Sequence, residues 1–144
     1  MIVALRESIE VAKGYIQKMT DPVHDMNHVK SVVSLSLRLA KEFPIADRDV
    51  IEIATWWHDV GRLFDERHEP ISAQVAYDSL IENGIGKKFS KAVYDAIVFH
   101  RWNMKPKTLE GKIVRDADKL DFINIKRWER CINKKSDPNC KKHY

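Results

Sequence analysis

The sequence predicts an all-α fold of about six helices around a single core. Three observations carry that expectation. Apolar residues recur at spacings of three and four through most of the chain, no segment keeps up the alternation of a strand, and proline, glycine and aspartate interrupt the periodic runs. With 144 residues, 44% of them hydrophobic, the chain is long enough to bury a core and too apolar for disorder. A two-domain division would leave each half marginal, so residues 1–125 read as one domain and the polar, basic stretch 126–144 as its helix end or tail.

Each element has its own signal. Leu5, Ile9, Val11 and Ile16 mark a first helix, broken at Asp21-Pro22. A second begins near Asn27, with a stripe of His28, Val32, Leu35 and Leu39, and stops before Pro44 because a residue preceding proline avoids helical geometry. Asp47 or Asp49 can cap a third, lined by Val50, Ile53, Ala54 and Trp57, for which Gly61 offers a stop. Pro70 suits the first turn of a fourth, running through Ala73, Ala76, Tyr77 and Leu80 to Asn83-Gly84. Phe89, Val93, Ala96, Ile97 and His100 share one side of a fifth. A sixth starts near Thr108 and includes Ile113, Val114, Ala117, Leu120 and Phe122.

Composition narrows the function classes. Twenty-five Lys and Arg against 21 Asp and Glu give a net charge of +4, which suits a small anionic substrate and falls short of the basic stripe of a nucleic-acid binder. The cations of the tail, Lys126, Arg127, Arg130, Lys134, Lys135, Lys141 and Lys142, read as solvated. Cys131 and Cys140 lack CxxC spacing, and no run nears the length of a membrane span, so a reducing, cytoplasmic setting is expected and a membrane partner is not. Composition leaves the oligomeric state open.

Several short motifs fail on inspection. GIGKK at 84–88 has neither the Ser or Thr of a phosphate loop nor a strand leading into it. DADKLD at 116–121 lacks the glycine and closing glutamate of a calcium loop, and His68-Glu69 has no second histidine four residues on.

One constellation survives. His58 and Asp59 adjoin the apolar face of the third helix, where an unpaired buried carboxylate is costly and calls for a cation, a metal or several donors. A single histidine at an apolar edge is most often an ordinary core residue. Here the pattern recurs: His28 heads one stripe, His100 ends another, and Asp118 follows Val114 on a third. Helices packed together would gather these imidazoles and carboxylates into the nitrogen and oxygen ligand set that divalent zinc, manganese, iron, cobalt or nickel prefers, with no thiolate to suggest a structural zinc.

The order His28, His58-Asp59, Asp118, set in HDMNHVKSV, HDVGR, HEPISA, AIVFH and KIVRDADKLD, resembles the HD-domain superfamily of metal-dependent phosphohydrolases over about residues 20–125. The resemblance implies an all-α fold with His28, His58, Asp59 and Asp118 as metal ligands. Asp118 is preferred to Asp116 on the family's A-D-[RK]-L pattern, leaving Asp116 as a possible outer-shell group. His24, which precedes the second helix, is another. His68 and His100 match positions that complete a two-metal site in some branches, with Asp59 as the bridge, and that meet substrate in others, so one and two metals per chain both stand.

The implied chemistry is hydrolysis of a phosphate ester or anhydride, with a nucleotide as the expected substrate. A bound divalent metal lowers the pKa of water from about 15.7 toward 7 and so generates hydroxide to attack phosphorus. Arg62 and Lys119 follow ligand motifs and are candidates for phosphate, with Lys30 and Arg101 behind them. His68 could protonate the leaving oxygen, and Asp65 and Glu66 stand where some one-metal relatives keep catalytic acids. Trp102 and Met104 could wall a substrate or pack elsewhere. Two alternatives use the same residues: a di-iron oxygenase with six ligands, and a non-catalytic nucleotide-sensing module.

Overall fold

The computed structural model describes residues 1–133. Among them lie seven α-helices and no strand: α1 (Ile2–Ile16), α2 (Met26–Ala40), α3 (Arg48–Trp57), α4 (His68–Glu82), α5 (Lys87–Val98), α6 (Leu109–Leu120) and α7 (Ile125–Asn133), with short 3₁₀ turns at Val60–Leu63 and Asp121–Ile123. The seventh helix lies where the sequence predicts a polar, basic helix end or tail. The Lys and Arg content of this stretch suits a solvated surface, yet Arg127 and Cys131 are buried. Arg127 donates from Nε to the Val23 carbonyl at 3.0 Å and lies against the rings of Phe122 and Trp128, so its cationic head has partners that composition does not reveal. Lys134, Lys135, Cys140, Lys141 and Lys142 lie outside the described residues.

The centre of the fold is α3. Val50, Ile51, Ile53, Ala54, Thr55, Trp56 and Trp57 are all buried, as a helix surrounded by others requires. It is flanked by α1, α2, α5 and α6, while α4 packs mainly on α5 and on the first 3₁₀ turn. Trp57 has no solvent exposure, and its indole N–H donates to Ser8 Oγ of α1 at 3.0 Å, which removes the cost of burying that donor.

Caps set the helix starts near the site. Asp25 accepts from the backbone N–H of His28 at 3.1 Å, Asp47 from those of Asp49 and Val50, and Thr108 from that of Gly111 at 3.0 Å. Each such cap is worth about 1 kcal/mol. The Asp47 backbone N–H also donates to Glu110 at 2.8 Å, tying the start of α3 to the first turn of α6.

Some details differ from the sequence expectation. Gly61 does not stop α3, which ends at Trp57; it lies inside the 3₁₀ turn, and an added Cβ would sit 2.3 Å from the His68 carbonyl and 2.8 Å from Ser72 N and Oγ. Glycine is there so that α4 can approach the turn closely. Gly84, at φ 78°, does end its helix as expected. On α1, Ala12 and Ser8 join Leu5 and Ile16 in the interior, and Val11 is exposed. On α2, Val29, Val33 and Ser36 join Val32 in the interior, leaving Leu35 and Leu39 only half-buried. Leu120, the last residue of α6, and Phe122, in the 3₁₀ turn that follows, are exposed as well.

Candidate metal centre

Three helices, α2, α3 and α6, meet at a buried cluster. His28 comes from the first turn of α2, His58 and Asp59 follow α3, and Asp118 comes from the last turn of α6. One ligand atom from each lies within 4.8 Å of all the others. His28 Nε2 is 3.1 Å from both Asp59 Oδ2 and Asp118 Oδ1, and His58 Nε2 is 3.3 and 3.4 Å from the same two oxygens. Groups each about 2.0–2.2 Å from one ion stand roughly 3.0–3.5 Å apart, so these spacings are those of neighbouring ligands.

Polar satisfaction gives a second, independent test. His28 Nε2, His58 Nε2 and Asp59 Oδ2 are buried and make no hydrogen bond of good geometry; their near neighbours are one another and Asp118, although buried polar atoms are nearly always well paired. All three belong to this cluster, and each is an atom type that binds divalent metals. The residues therefore fit a divalent cation.

The imidazoles are aimed by what lies behind them. His28 Nδ1–H donates to Asp121 Oδ2 at 2.7 Å, His58 Nδ1–H to the Thr55 carbonyl at 2.6 Å, and His100 Nδ1–H to the Ile97 carbonyl at 2.7 Å. Each bond turns Nε2, with its lone pair, toward the centre. Asp121 is fully buried and also accepts from Ser31 Oγ at 2.6 Å and Asn124 Nδ2 at 2.9 Å. Asp116, expected as the outer-shell carboxylate, faces outward and pairs with Arg115 at 3.0 Å. Asp121 has that place instead, three residues beyond Asp118, where the 3₁₀ turn swings its side chain inward.

A second group shares Asp59. Its Oδ1 lies 3.0 Å from His68 Nε2 and 3.9 Å from His100 Nε2, and those two nitrogens are 3.2 Å apart. Asp59, His68 and His100 thus form another set able to hold a metal, with the two oxygens of one carboxylate divided between the sets. Arg62 Nε also donates to Asp59 Oδ1 at 3.0 Å, so this oxygen already carries a cation.

The electrostatics follow from burial and opposed charges. Burial alone would lower the pKa of His28, but the carboxylates of Asp118, Asp121 and Asp59 raise it to about 9; burial also opposes the rise at His58, where Asp59 and Asp118 push it well above its usual value. Burial would raise the Asp59 carboxyl, yet the guanidinium of Arg62 and the charge of His58 hold it well below the usual range. His100 is pushed down to about 4, first by burial and then by the charge of His58. The same negative potential that holds protons on His28 and His58 attracts a divalent ion, which would replace them.

The cluster opens into a cavity of ≈ 800 Å³. Asp118 is its exposed edge, with a quarter of its side chain in solvent, while His28, His58 and Asp59 are sealed behind it. Arg62, Lys119, Arg101 and Arg127 bring positive charge to the cavity, and Asp65, Glu66, His68 and His100 also line it. His24 is buried at its edge and donates to Asp21 at 2.6 Å. Lys30 is exposed and is not part of the lining. Arg101 grips buried Glu69 through contacts of 2.8 and 3.2 Å, a pairing across 32 residues of chain that has no signal in the sequence.

Known proteins resemble this chain in sequence and fold. The HD domain model covers residues 26–123. A curated relative, the uncharacterised protein YpgQ of Bacillus subtilis strain 168, is 30% identical over 106 residues, which make up 69% of this chain and 51% of YpgQ, so the chain spans about half the length of the relative it matches. Among solved structures, a predicted HD superfamily hydrolase from an uncultured Thermotogales bacterium shares 30% identity at a TM-score of 0.74, covering 85% of this chain and 72% of the other. Bacillus subtilis YpgQ in complex with ADP shares 26% identity at a TM-score of 0.66, over 92% of this chain and 69% of that one. By its matched model and the histidines and aspartates its helices bring together, the chain belongs to the HD-domain family.

Proposed function

We propose that the protein is a metal-dependent phosphohydrolase that cleaves a phosphate ester or anhydride, with a nucleotide as substrate. The observation that carries the reading is the trio of buried ligand atoms without a hydrogen bond of good geometry, His28 Nε2, His58 Nε2 and Asp59 Oδ2, behind a cavity edged with Arg and Lys. The binding of ADP by its relative YpgQ supports a nucleotide. A cytoplasmic setting, where nucleotides are plentiful, belongs to the same reading; among the described residues no helix is long and apolar enough to cross a membrane.

In this mechanism His28, His58, Asp59 and Asp118 would hold the divalent ion. The ion would supply Lewis acidity, which lowers the pKa of a coordinated water and offsets charge on the phosphate oxygens. Asp118, at the cavity edge, directs the open side of the cluster toward substrate. Lys119 and the outward donors of Arg62 neutralise non-bridging oxygens, and the seal over Asp59 keeps bulk water from weakening those contacts. His68 and His100 stand on the other side of Asp59. His100, neutral, offers Nε2 as an acceptor, and His68 Nε2 can carry the proton a leaving oxygen needs. If a second ion displaced Arg62 from Asp59 Oδ1, the six-ligand set of a di-iron oxygenase would be complete, and that observation keeps the oxygenase as the second reading.

Phosphate release from a panel of nucleotides and sugar phosphates tests the proposal, using protein loaded with manganese, cobalt or iron. Turnover that disappears in folded Asp59→Ala is the expected result. Inertness of the loaded protein across the panel refutes it, oxygen uptake by the iron form would select the oxygenase, and tight nucleotide binding without product would select a sensing module.

A further inference from the structure

Trp102 is 70% exposed, which is unusual for a residue with so much apolar surface. An ion pair at the preceding residue and a cation on one ring face nevertheless fix its surroundings. Its neighbour Arg101 is fixed to buried Glu69 of α4, and the Lys119 ammonium of α6 lies 4.2 Å from the centre of the indole ring. The first tie joins the residues that follow His68 and His100 in the chain, and the second uses the residue that follows Asp118. The indole is therefore positioned by the same elements that build the buried cluster.

Trp102 and Phe122, the latter 41% exposed, line the cavity together with Asp118, His68 and His100. The cavity passes from imidazole and carboxylate in its depth to aromatic surface near solvent. A ligand that matches this sequence of surfaces has phosphate at one end and a flat aromatic group at the other. Lys119 occupies one face of the indole by a cation–π contact, which leaves a planar ring one further face for a planar partner.

We propose that Trp102 is the platform on which the nucleobase of the substrate stacks, on the indole face opposite Lys119, with the phosphates directed to the metal cluster. The proposal rests on the hydrolase reading for its phosphate end and adds a base subsite at the other. Stacking makes use of the π-face that every base possesses, so the platform selects nucleotides over base-free phosphates more strongly than it selects among bases.

Equilibrium titration of the metal-loaded full chain with ADP and with inorganic pyrophosphate separates the two ends, because both ligands carry a diphosphate and one alone carries a base. The wild type is expected to bind ADP more tightly than pyrophosphate. Trp102→Ala is expected to lose about tenfold or more of the ADP affinity while the pyrophosphate affinity holds, and Trp102→Phe to keep most of both. Far-UV circular dichroism checks that the variants are folded. Unchanged ADP binding in Trp102→Ala, or equal weakening of the two ligands, overturns the platform. Wild-type protein that binds pyrophosphate as tightly as ADP overturns the base subsite and leaves the phosphate reading in place; binding of neither overturns both.

Discussion

Asp121→Asn is expected to weaken metal binding without unfolding the protein. The carboxylate of Asp121 is buried, and its two oxygens receive three hydrogen bonds: His28 Nδ1 on Oδ2, and Ser31 Oγ and Asn124 Nδ2 on Oδ1. Burial would raise its pKa, but these donors, His28 first, hold it at about 2, so it is an anion at neutral pH. Asparagine keeps the shape but turns one acceptor into a donor. Facing His28, that donor would meet Nδ1–H and press the ring toward the wrong tautomer; facing Ser31 and Asn124, it would leave both donors short of an acceptor. Either way the negative charge that makes Nε2 a stronger ligand is gone. Loss of such an outer partner lowers metal affinity by about 10- to 100-fold, roughly 1.4–2.7 kcal/mol. Competition against a chromophoric chelator gives the affinity, and circular dichroism gives the fold. Ser31→Ala, which touches only the other oxygen, should lose less. A folded Asp121→Asn protein with wild-type metal affinity would refute the argument.

Other consequences are equally measurable. Gly61→Ala pushes a methyl group against the backbone of His68 and Ser72, where no flexible side chain can yield; thermal unfolding should show a loss of about 1–3 kcal/mol. Thr108→Ala removes the cap of the helix that carries Asp118, with an expected cost of about 1 kcal/mol in chemical denaturation. In metal-free protein the stabilisation from His28, raised to about 9, is complete below its unfolded value near 6.5 and is lost as pH rises through 9. His100, lowered to about 4, acts in the opposite sense: its stabilisation is present above about 6.5 and is lost as pH falls toward 4. Denaturation at a series of pH values should therefore show a maximum near 6.5, and saturating metal should remove the alkaline decline.

The helices with strong apolar periods and clear caps were legible in the sequence, as α3 between Asp47 and Trp57 illustrates. So was the gathering of His28, His58, Asp59 and Asp118, because each interrupts an apolar stripe and the order of their motifs matches the family. What remained hidden depends on contacts between distant residues. The role of Asp121 has no sequence signal, because periodicity alone does not show that α6 gives way to a 3₁₀ turn at that position. Arg127 looked like a solvated tail residue until the Val23 carbonyl and two aromatic rings appeared around it. Gly61 offered a helix stop, whereas its role is set by α4, which begins seven residues later. The division of Asp59 between two groups has no sequence signal, since it depends on which of its oxygens faces which histidine.

The central claim is that the buried cluster holds a divalent metal, and elemental analysis of protein purified without a metal-binding tag tests it most directly, with wild type and Asp59→Ala measured side by side. At least one equivalent of a divalent ion per wild-type chain is predicted, rising to two if the Asp59, His68 and His100 group also fills, and little or none in the folded variant. A wild-type chain that carries no metal, even after incubation with manganese, iron, cobalt, nickel and zinc, or an Asp59→Ala chain that retains the full complement, would contradict the account.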